Sequence, residues 1–308
     1  MATEKFIVRS ALVEDMEVPT RLGVLENWHL GTHDLASIHS ADPTGFFVGE
    51  LNGEVISHIS AVKYPSHSAF IGTFIVAKEH RGKGYGRQTW NAAWKSLDRD
   101  YTIGLVAVTH TIPRYEKLGF HAVWNTFVAK LDVQIVAKKL TDHKCLGGVL
   151  ITPAATVDLE KVRSYDALVF GTPRYRFIEK WINMPGNLCW VAISEKGNVV
   201  GYIAVRQFTS DKGKEIQLGL APLYANSNQI AKSLLKKAAE VYLSNDTTST
   251  SKIDLFYSDG GSSGHHASQL MQELEATAFH IGQRMYTRGV PPGRQQDKMY
   301  GIFLPAFD

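Results

Sequence analysis

A glycine-rich segment with basic side chains, Arg81-Gly82-Lys83-Gly84-Tyr85-Gly86-Arg87, is the clearest candidate for chemistry in the sequence. It follows an apolar run that ends near Val76 and precedes a segment with helical spacing. A turn from a strand into a helix directs unpaired backbone N–H groups and the positive end of the helix dipole towards one point. Glycine lets a ligand approach the backbone closely, and Arg81, Lys83 and Arg87 add positive charge. The segment therefore predicts a phosphate or pyrophosphate site.

Three other interpretations of this glycine loop compete. The Walker pattern is excluded because no Gly-Lys-Ser/Thr ends the loop. The dinucleotide fingerprint needs an acidic residue about 20 positions further on, and Asp98 and Asp100 come too early. A plain glycine turn before a helix is the remaining alternative, and the basic side chains with the flanking strand and helix make it the weaker one.

The elements around the loop predict a mixed α/β layer. Asn52-Gly53 favours a hairpin turn because both positions tolerate a positive φ. Trp90, Ala93, Trp94 and Leu97 would form one apolar face of a helix. Predicted strands cover residues 6–8, 46–51, 54–62, 69–76, 102–108 and 120–131, and a short helix covers 112–118.

The second half of the sequence repeats this plan. After a less periodic stretch over residues 132–159, two strands flank Lys196-Gly197-Asn198, and a long helix follows a further strand. The turn that corresponds to the glycine loop has the sequence Leu220-Ala221-Pro222-Leu223-Tyr224. Its proline and bulky side chains stand where a phosphate site would need open backbone amides. We therefore expect two domains, residues 1–135 and 150–308, of which the second has lost the phosphate-binding glycines.

Composition sets further limits. The chain has 308 residues, and 33 Lys and Arg against 30 Asp and Glu leave a net charge of +3, too weak a bias to predict a nucleic-acid or membrane partner. Cys145 and Cys189 lack metal-site spacing and favour a reducing compartment. No apolar run reaches the roughly 18 residues of a membrane span. We expect a cytoplasmic or nuclear protein without a metal, and a mobile loop over residues 259–266 rather than a metal site at His265 and His266.

Two motifs resemble those of the GNAT (Gcn5-related N-acetyltransferase) superfamily. Residues 76–86 are similar to its acyl-CoA loop, with Arg81, Gly84 and Gly86 at the three defining positions of Arg/Gln-x-x-Gly-x-Gly/Ala. Tyr115-Glu116-Lys117-Leu118-Gly119-Phe120 is similar to its second signature. The resemblance covers residues 5 to 132 and implies a mostly antiparallel central sheet flanked by helices. Weaker similarity in the second half, at 218–225 and 284–287, implies a tandem arrangement with a degenerate GNAT-like domain.

The resemblance also implies roles for individual residues. Backbone amides of the loop would hold the CoA pyrophosphate, and main-chain groups of a splayed strand would pair with pantetheine and meet the acetyl carbonyl. Tyr115 occupies the position of the general acid, where a phenol with a pKa near 10 stays protonated at neutral pH, although it could also simply pack on the cofactor. The implied cofactor-binding residues are Phe74, Ile75, Val76, Arg81, Gly82, Lys83, Gly84, Tyr85, Gly86 and Arg87.

The general base is left open by the sequence. The strand over residues 73–76 contains no carboxylate. His110, just after a central strand, and His58, in the hairpin, are the candidates because the pKa of histidine lies near neutrality. Either could instead be an ordinary core or strand-end residue, and a water chain or a backbone carbonyl could replace them.

The combined expectation is an acetyl-CoA-dependent N-acetyltransferase that acts on a small amine or amino acid. Cys145 and Cys189 lie outside both signatures, which favours direct attack by the amine over a covalent acyl-cysteine. The alternatives are a protein or peptide lysine acetyltransferase, which an open groove would favour, and a non-catalytic acyl-CoA sensor. Longer acyl donors and the oligomeric state stay open.

Overall fold

The structure, a computed structural model, describes residues 4–210, 215–244, 252–260 and 265–307. Within these ranges one sheet of thirteen strands forms the centre of the molecule. The strands are β1 Phe6–Ser10, β2 Phe46–Leu51, β3 Glu54–Tyr64, β4 Ser68–Val76, β5 Thr102–Val108, β6 His121–Asp132, β7 Val149–Pro153, β8 Leu188–Ser194, β9 Val199–Ser210, β10 Glu215–Ala225, β11 Lys252–Ser258, β12 Thr277–Tyr286 and β13 Met299–Gly301. The α-helices are α1 Glu17–Leu25, α2 Asp34–His39, α3 Tyr85–Lys95, α4 Ile112–Glu116, α5 Val133–Lys139, α6 Leu159–Phe170, α7 Tyr175–Ile182, α8 Asn228–Ser244 and α9 His265–Glu273.

The predicted mixed, mostly antiparallel sheet with flanking helices is confirmed. The strand order is β1-β2-β3-β4-β5-β12-β6-β11-β10-β9-β8-β7, and β13 pairs with β10. Only β4 with β5 and β10 with β11 pair in parallel among the described strands. Strands β7 to β12 of the second half correspond in order to strands β1 to β6 of the first half. With this correspondence, the strand order is the same whether it is read from the β1 edge or from the β7 edge of the sheet. The repeated plan inferred from the sequence is thus visible in the sheet.

The two halves exchange strands at the centre of the sheet. Strand β12, from the second half, pairs with β5 through Met285 opposite Leu105. The C-terminal part of strand β6, from the first half, pairs with the whole of β11, from Lys252 opposite Asp132 to Ser258 opposite Thr126. Strands β6 and β12 also pair with each other. Sequence periodicity does not predict this exchange, because an alternating strand fits any neighbour with a matching apolar face.

Two structural details differ from the sequence predictions. Residues Leu220–Tyr224 lie inside β10 rather than in a turn, and the connection from β10 to α8 consists of residues 226–227. His265 and His266 begin helix α9, while residues 261–264 of the predicted mobile loop lie outside the described residues.

The C-terminal segment crosses from the second half to the first. After β13, the backbone N–H of Ile302 donates to the carbonyl of Phe256 on β11. Phe303 and Phe307 are buried in a hydrophobic core that also contains residues of the first half. Gly72 on β4 contacts this segment so closely that a Cβ there would overlap the carbonyl oxygen of Ala306. The second half thereby contributes directly to the surface above β4.

Candidate active site

Strand β4 contains a bulge where the resemblance implies acyl binding. Opposite β3, His58 pairs with Ile75 and Ser60 pairs with Gly72, so two residues of β4 stand against one of β3. Thr73 in the bulge has a φ of +44°, an unusual value for a β-branched residue. Bulges of this kind redirect a strand and its backbone groups, and they are frequent beside active sites.

Polar contacts from β3 hold the bulge in place. The ring of His58 donates from Nδ1 to the carbonyl oxygen of Thr73 at 3.1 Å, since a carbonyl oxygen can only accept. The hydroxyl of Thr73 donates to Oγ of Ser60 at 3.0 Å. Both interactions are buried, and they offset the strain of the backbone at Thr73.

Strands β4 and β5 separate beyond their first residues. Their parallel pairing extends from Ser68 opposite Thr102 to Phe70 opposite Gly104 and then stops. Strand β4 continues to Val76 and β5 to Val108, and both strands line the same cavity there. The separation leaves room between two backbone edges for an extended ligand.

The glycine loop connects the end of β4 to α3. Gly82 and Gly84 have φ values of +78° and +87°, and a Cβ on either would meet nothing within 4 Å. Gly84 is the N-cap residue of α3, so the first N–H groups of this helix face an open space. At Gly86 a Cβ would stand 3.0 Å from Cγ2 of Val76, and this glycine therefore lets α3 approach β4.

Four of the predicted loop residues differ in what their side chains do. Arg81 donates to the carbonyl of Val76 at 2.9 Å and to Glu26 at 2.7 Å, so it fixes the loop to β4 and to the end of α1. Arg87 is exposed and lines the cavity, whereas Lys83 is exposed but does not line it. Tyr85 points away from the cavity and donates to Glu4, which leaves its backbone N–H at the helix start as its contribution.

Tyr115 and His110 lie at the cavity after β5. The ring of Tyr115, on α4, contacts Trp90 with 5.7 Å between centroids and Phe120 with 6.0 Å. Its hydroxyl has no hydrogen-bond partner among the described residues, and burial raises its pKa above the usual value near 10. His110 lies on the turn between β5 and α4 and is exposed. The cavity thus brings both predicted residues to one wall.

A cavity of about 810 Å³ joins these parts. One end is lined by the glycine loop and Arg87, and the middle by the separated β4 and β5, including Phe74, Ile75 and Val76. The other end is mostly apolar and receives residues of the second half. These are Phe256, Ile281, Leu304, Pro305 and Ala306.

His58 is not brought to this cavity. The side chain is fully buried in the sheet and is absent from the cavity lining. Burial lowers its pKa to about 4, which keeps the imidazole neutral. The structure therefore assigns His58 to supporting the bulge at Thr73, and an alternating strand pattern alone could not distinguish this position from one that faces a ligand.

His29 is a cavity-lining residue that sequence reasoning missed. It lies in the loop between α1 and α2, which carries no periodic signal. Two charged residues near it, Asp254 and Arg206, lie in the second half of the chain, so their proximity could not be inferred from spacing. The sequence feature that could have pointed to His29 is its place in a loop after an amphipathic helix, next to Asn27 and Trp28.

The slot in the second half that corresponds to the gap between β4 and β5 is filled by the chain itself. Strands β10 and β11 pair in parallel only from Leu218 to Leu220 on β10. Beyond that point β13 pairs with β10 at Leu223 and Tyr224, and Ile302 bonds to β11. Residues 226–227 replace the glycine loop with a short connection. Among the described residues of the second half, the end of β10 therefore shows neither a gap beside β11 nor a glycine loop.

The two cysteines lie away from the cavity. Cys145 and Cys189 are free thiols and do not contribute to the lining. Burial raises the pKa of Cys189 to about 12, so its thiol is a poor nucleophile at neutral pH. Among the described residues, no three His, Cys, Asp or Glu side chains are grouped to hold a metal ion. The described helices include none with the length and hydropathy to span a membrane.

Comparison with known proteins gives matches in both halves. A family model described as "Acetyltransferase (GNAT) family" matches residues 10–120, and another described as "Acetyltransferase (GNAT) domain" matches residues 162–301. A protein named holothin acyltransferase, from Pseudoalteromonas sp., is 27% identical over 232 residues, which are 75% of this chain and 73% of the relative.

Solved structures share the fold over nearly the whole chain. A putative acetyltransferase from Pyrococcus horikoshii has a TM-score of 0.73 at 20% identity, with 98% of this chain and 96% of that chain covered. A tandem GNAT protein from the clavulanic acid biosynthesis pathway has a TM-score of 0.61 at 14% identity, with 92% and 98% covered. Because a GNAT family model matches each half, the chain belongs to the GNAT superfamily of acyltransferases as a two-domain member, and it shares its fold with a tandem GNAT protein.

Proposed function

We propose that this protein transfers an acetyl group from acetyl-CoA to the amine of a small molecule by direct attack. The observation that carries the proposal is the continuity of the cavity. It joins the N–H groups of the glycine loop, the separated strands and the Tyr115 hydroxyl to an apolar compartment. These four parts would receive, in the same order, the phosphates of an acyl-CoA, its pantetheine arm, its thioester and the acceptor.

The first half would hold the donor. The N-terminal N–H groups of α3 and the exposed Arg87 suit the pyrophosphate, because both the helix dipole and the guanidinium favour an anion. The backbone edges of Ile75 and Val76 suit the amide groups of pantetheine. We assign the chemistry to residues 1–135 together with β12, which completes their sheet, and a supporting role to the rest of residues 150–308.

Tyr115 would protonate the departing thiolate. Its raised pKa keeps the phenol protonated throughout the neutral range, and its hydroxyl is free to donate to sulfur. Attack forms the bond between the amine nitrogen and the carbonyl carbon, and the bond from that carbon to sulfur then breaks. No acyl-cysteine is involved, since neither cysteine reaches the cavity.

A small acceptor is favoured over a lysine in a folded protein. The apolar end of the cavity, which would receive the acceptor, is lined in part by residues of the second half: Phe256, Ile281, Leu304, Pro305 and Ala306. A protein surface would need an open groove at this point. The name of the relative, holothin acyltransferase, supports acyl transfer as the reaction class.

The test is the rate of CoA release from acetyl-CoA in the presence of separate small amines, amino acids and a lysine-containing peptide. The proposal expects at least one small amine to accelerate release by tenfold or more over the rate without amine. Acceleration by the peptide alone would favour a lysine acetyltransferase. Binding of acetyl-CoA without stimulation by any acceptor would favour a sensor.

A further inference from the structure

The loop that carries His29 is held in a strained shape by the second half of the chain. His29 has a φ of +55°, a left-handed conformation that is costly outside glycine. Arg206 on β9 donates from Nη2 to the carbonyl oxygen of His29 at 2.9 Å and from Nη1 to Asp34 at 2.7 Å. The backbone N–H of Thr209 also donates to the carbonyl of Leu30. Strain that several contacts maintain at a cavity is typical of functional positions.

The imidazole of His29 has a defined orientation. Its ring lies 4.8 Å from the ring of Phe208 and 5.4 Å from that of Phe256. Nδ1 is buried and lies 3.7 Å from Oδ2 of Asp254, a carboxylate on β11 that is 3% exposed. Neither atom has a hydrogen-bond partner among the described residues. His29 lines the cavity, and Nε2 is not among the buried atoms without a partner, so Nε2 is the ring nitrogen that can face the cavity.

We propose that Nε2 of His29 accepts the proton that the acceptor nitrogen loses, and that Asp254 positions the ring; this inference rests on the proposed function. Asp254 faces Nδ1, and a hydrogen on that nitrogen leaves Nε2 with its lone pair towards the cavity. A separation of 3.7 Å is long for a hydrogen bond, but such contacts in ligand-free sites commonly shorten when substrate binds. The second half would thus supply a positioning carboxylate as well as cavity walls.

The charges around His29 keep the ring neutral. Burial is the largest cause, and together with the positive charges of Arg206 on β9 and Lys130 on β6 it lowers the pKa of His29 to about 4. Asp254 is the acidic group that faces it, and its own pKa is raised by burial. A neutral imidazole is available as a proton acceptor at pH 7, whereas a protonated one is not.

The proposed step balances in atoms and charge. The neutral amine attacks the thioester carbon, and the nitrogen of the adduct is more acidic than the free amine because its lone pair has become a bond. Its proton passes to Nε2 of His29 as the carbon–sulfur bond breaks, and the sulfur takes the proton of Tyr115. His29 then gives its proton to water, and Tyr115 regains one from water.

The same features indicate an acceptor amine that is neutral near pH 7. A proton acceptor of low basicity cannot remove the proton of an alkylammonium ion efficiently. The acceptor end is apolar, and among the described residues that line the cavity the one carboxylate is Glu26, which is paired with Arg81. A cation would therefore be desolvated there without a partner.

The chain offers a matched control pair outside the cavity. His67 also has a positive φ, +50°, and its Nδ1 lies 3.8 Å from Oδ2 of Asp100 on the exposed surface. With acetyl-CoA and aniline, which is uncharged at pH 7, we expect His29→Gln to lower kcat/KM about 100-fold and Asp254→Asn about 10-fold. Acetyl-CoA affinity should stay within about twofold, and His67→Gln and Asp100→Asn should leave kcat/KM unchanged. Equal rates for His29→Gln and His67→Gln, or a preference for cationic benzylamine over aniline, would overturn the assignment.

An NMR measurement decides the role of His29 without relying on turnover. Long-range ¹H–¹⁵N correlation of the full-length protein, with His29→Gln for assignment, should show a neutral ring with the proton on Nδ1 from pH 5.5 to 8. Addition of aniline should shift the Nε2 resonance. A protonated Nε2, or a ring that titrates near pH 6.5, would refute the proposal even if no acceptor were acylated. Absence of acetyl-CoA binding would instead refute the proposed function.

Discussion

At the scale of single residues, the surroundings of a side chain determine its role as much as its residue type does. Tyr115 has a free hydroxyl at the cavity, whereas Tyr85, in the glycine loop, has its hydroxyl bonded to Glu4. His58 is buried below the sheet surface, and His29 lines the cavity, although burial lowers the pKa of both to about 4. Residue type narrows the candidates, and the three-dimensional surroundings decide among them.

Replacement of Tyr115 by phenylalanine removes the proposed acid while preserving its packing on Trp90 and Phe120. We expect kcat to fall about 100-fold because the thiolate would leave without a proton donor. The affinity for acetyl-CoA, measured by calorimetry, should change less than threefold. Tyr175→Phe, at a position that is 42% exposed on α7, is the control and should retain full activity. Equal kcat values in the two variants would remove Tyr115 from the mechanism.

His58 should make the fold sensitive to acid. Its pKa is about 4 in the folded protein and near 6.5 when unfolded, so the unfolded chain binds more protons between these values. Stability from the neutral ring is present above pH 6.5 and declines as the pH falls towards 4. We expect His58 alone to cost about 2 kcal/mol of unfolding free energy between pH 7 and 5.

Urea unfolding at pH 7 and pH 5 measures this effect. His58→Leu should be less stable at pH 7 because the carbonyl of Thr73 loses its donor, by about 1–3 kcal/mol. The variant should nevertheless lose less stability than the wild type on going to pH 5. The same pH dependence in both proteins would show that His58 is not buried in the neutral form.

At the scale of elements, the sequence predicts individual turns and helices, but it does not predict which elements pack or pair with one another. The hairpin at Asn52-Gly53 and the glycine loop before α3 follow from residues adjacent in sequence. The bulge at Thr73 was not predicted, because its cause is a pairing with β3 rather than a local signal. The turn at Leu220–Tyr224 was placed wrongly because it was put at the position that corresponds to the glycine loop of the first half, whereas these residues lie within β10.

Two glycines with the same backbone geometry allow an effect on stability to be distinguished from an effect on ligand binding. Gly84 in the loop and Gly53 in the hairpin have φ values of +87° and +90°, and a Cβ on either meets no atom within 4 Å. Alanine should therefore cost about 1 kcal/mol of stability at both positions. We expect Gly84→Ala to weaken acetyl-CoA binding at least tenfold in calorimetric titration, because its methyl group and backbone shift obstruct the helix start. Gly53→Ala should bind normally, and equal affinities would argue against a phosphate site in the loop.

At the scale of the whole molecule, the strand exchange joins two copies of one architecture into a single sheet. The sequence predicted the repeat because periodicity is local, but it could not predict that β6 and β12 lie beside strands of the opposite halves. The exchange also explains the composite site. It fixes the second half against the first, so that Phe256, Ile281 and the segment at Leu304 line the apolar end of the cavity.

A fragment of residues 1–135 tests this organisation. Without β12, strand β5 keeps only its short pairing with β4, and the edge of β6 that pairs with β12 is exposed. We therefore expect the fragment to be insoluble or unable to bind acetyl-CoA. Co-expression with residues 136–308 should restore binding, which purification through a tag on one fragment can measure. A soluble fragment that binds acetyl-CoA alone would show that the first half is an independent domain.

The central claim is direct acyl transfer from CoA to an amine in the composite cavity. Quantifying the amide and CoA together by mass spectrometry, with the amine that most accelerates CoA release, tests it most directly. We expect one acetylated amine for each CoA released and a full-length protein of unchanged mass. Acetate in place of the amide, or an acetylated protein intermediate, would contradict the account.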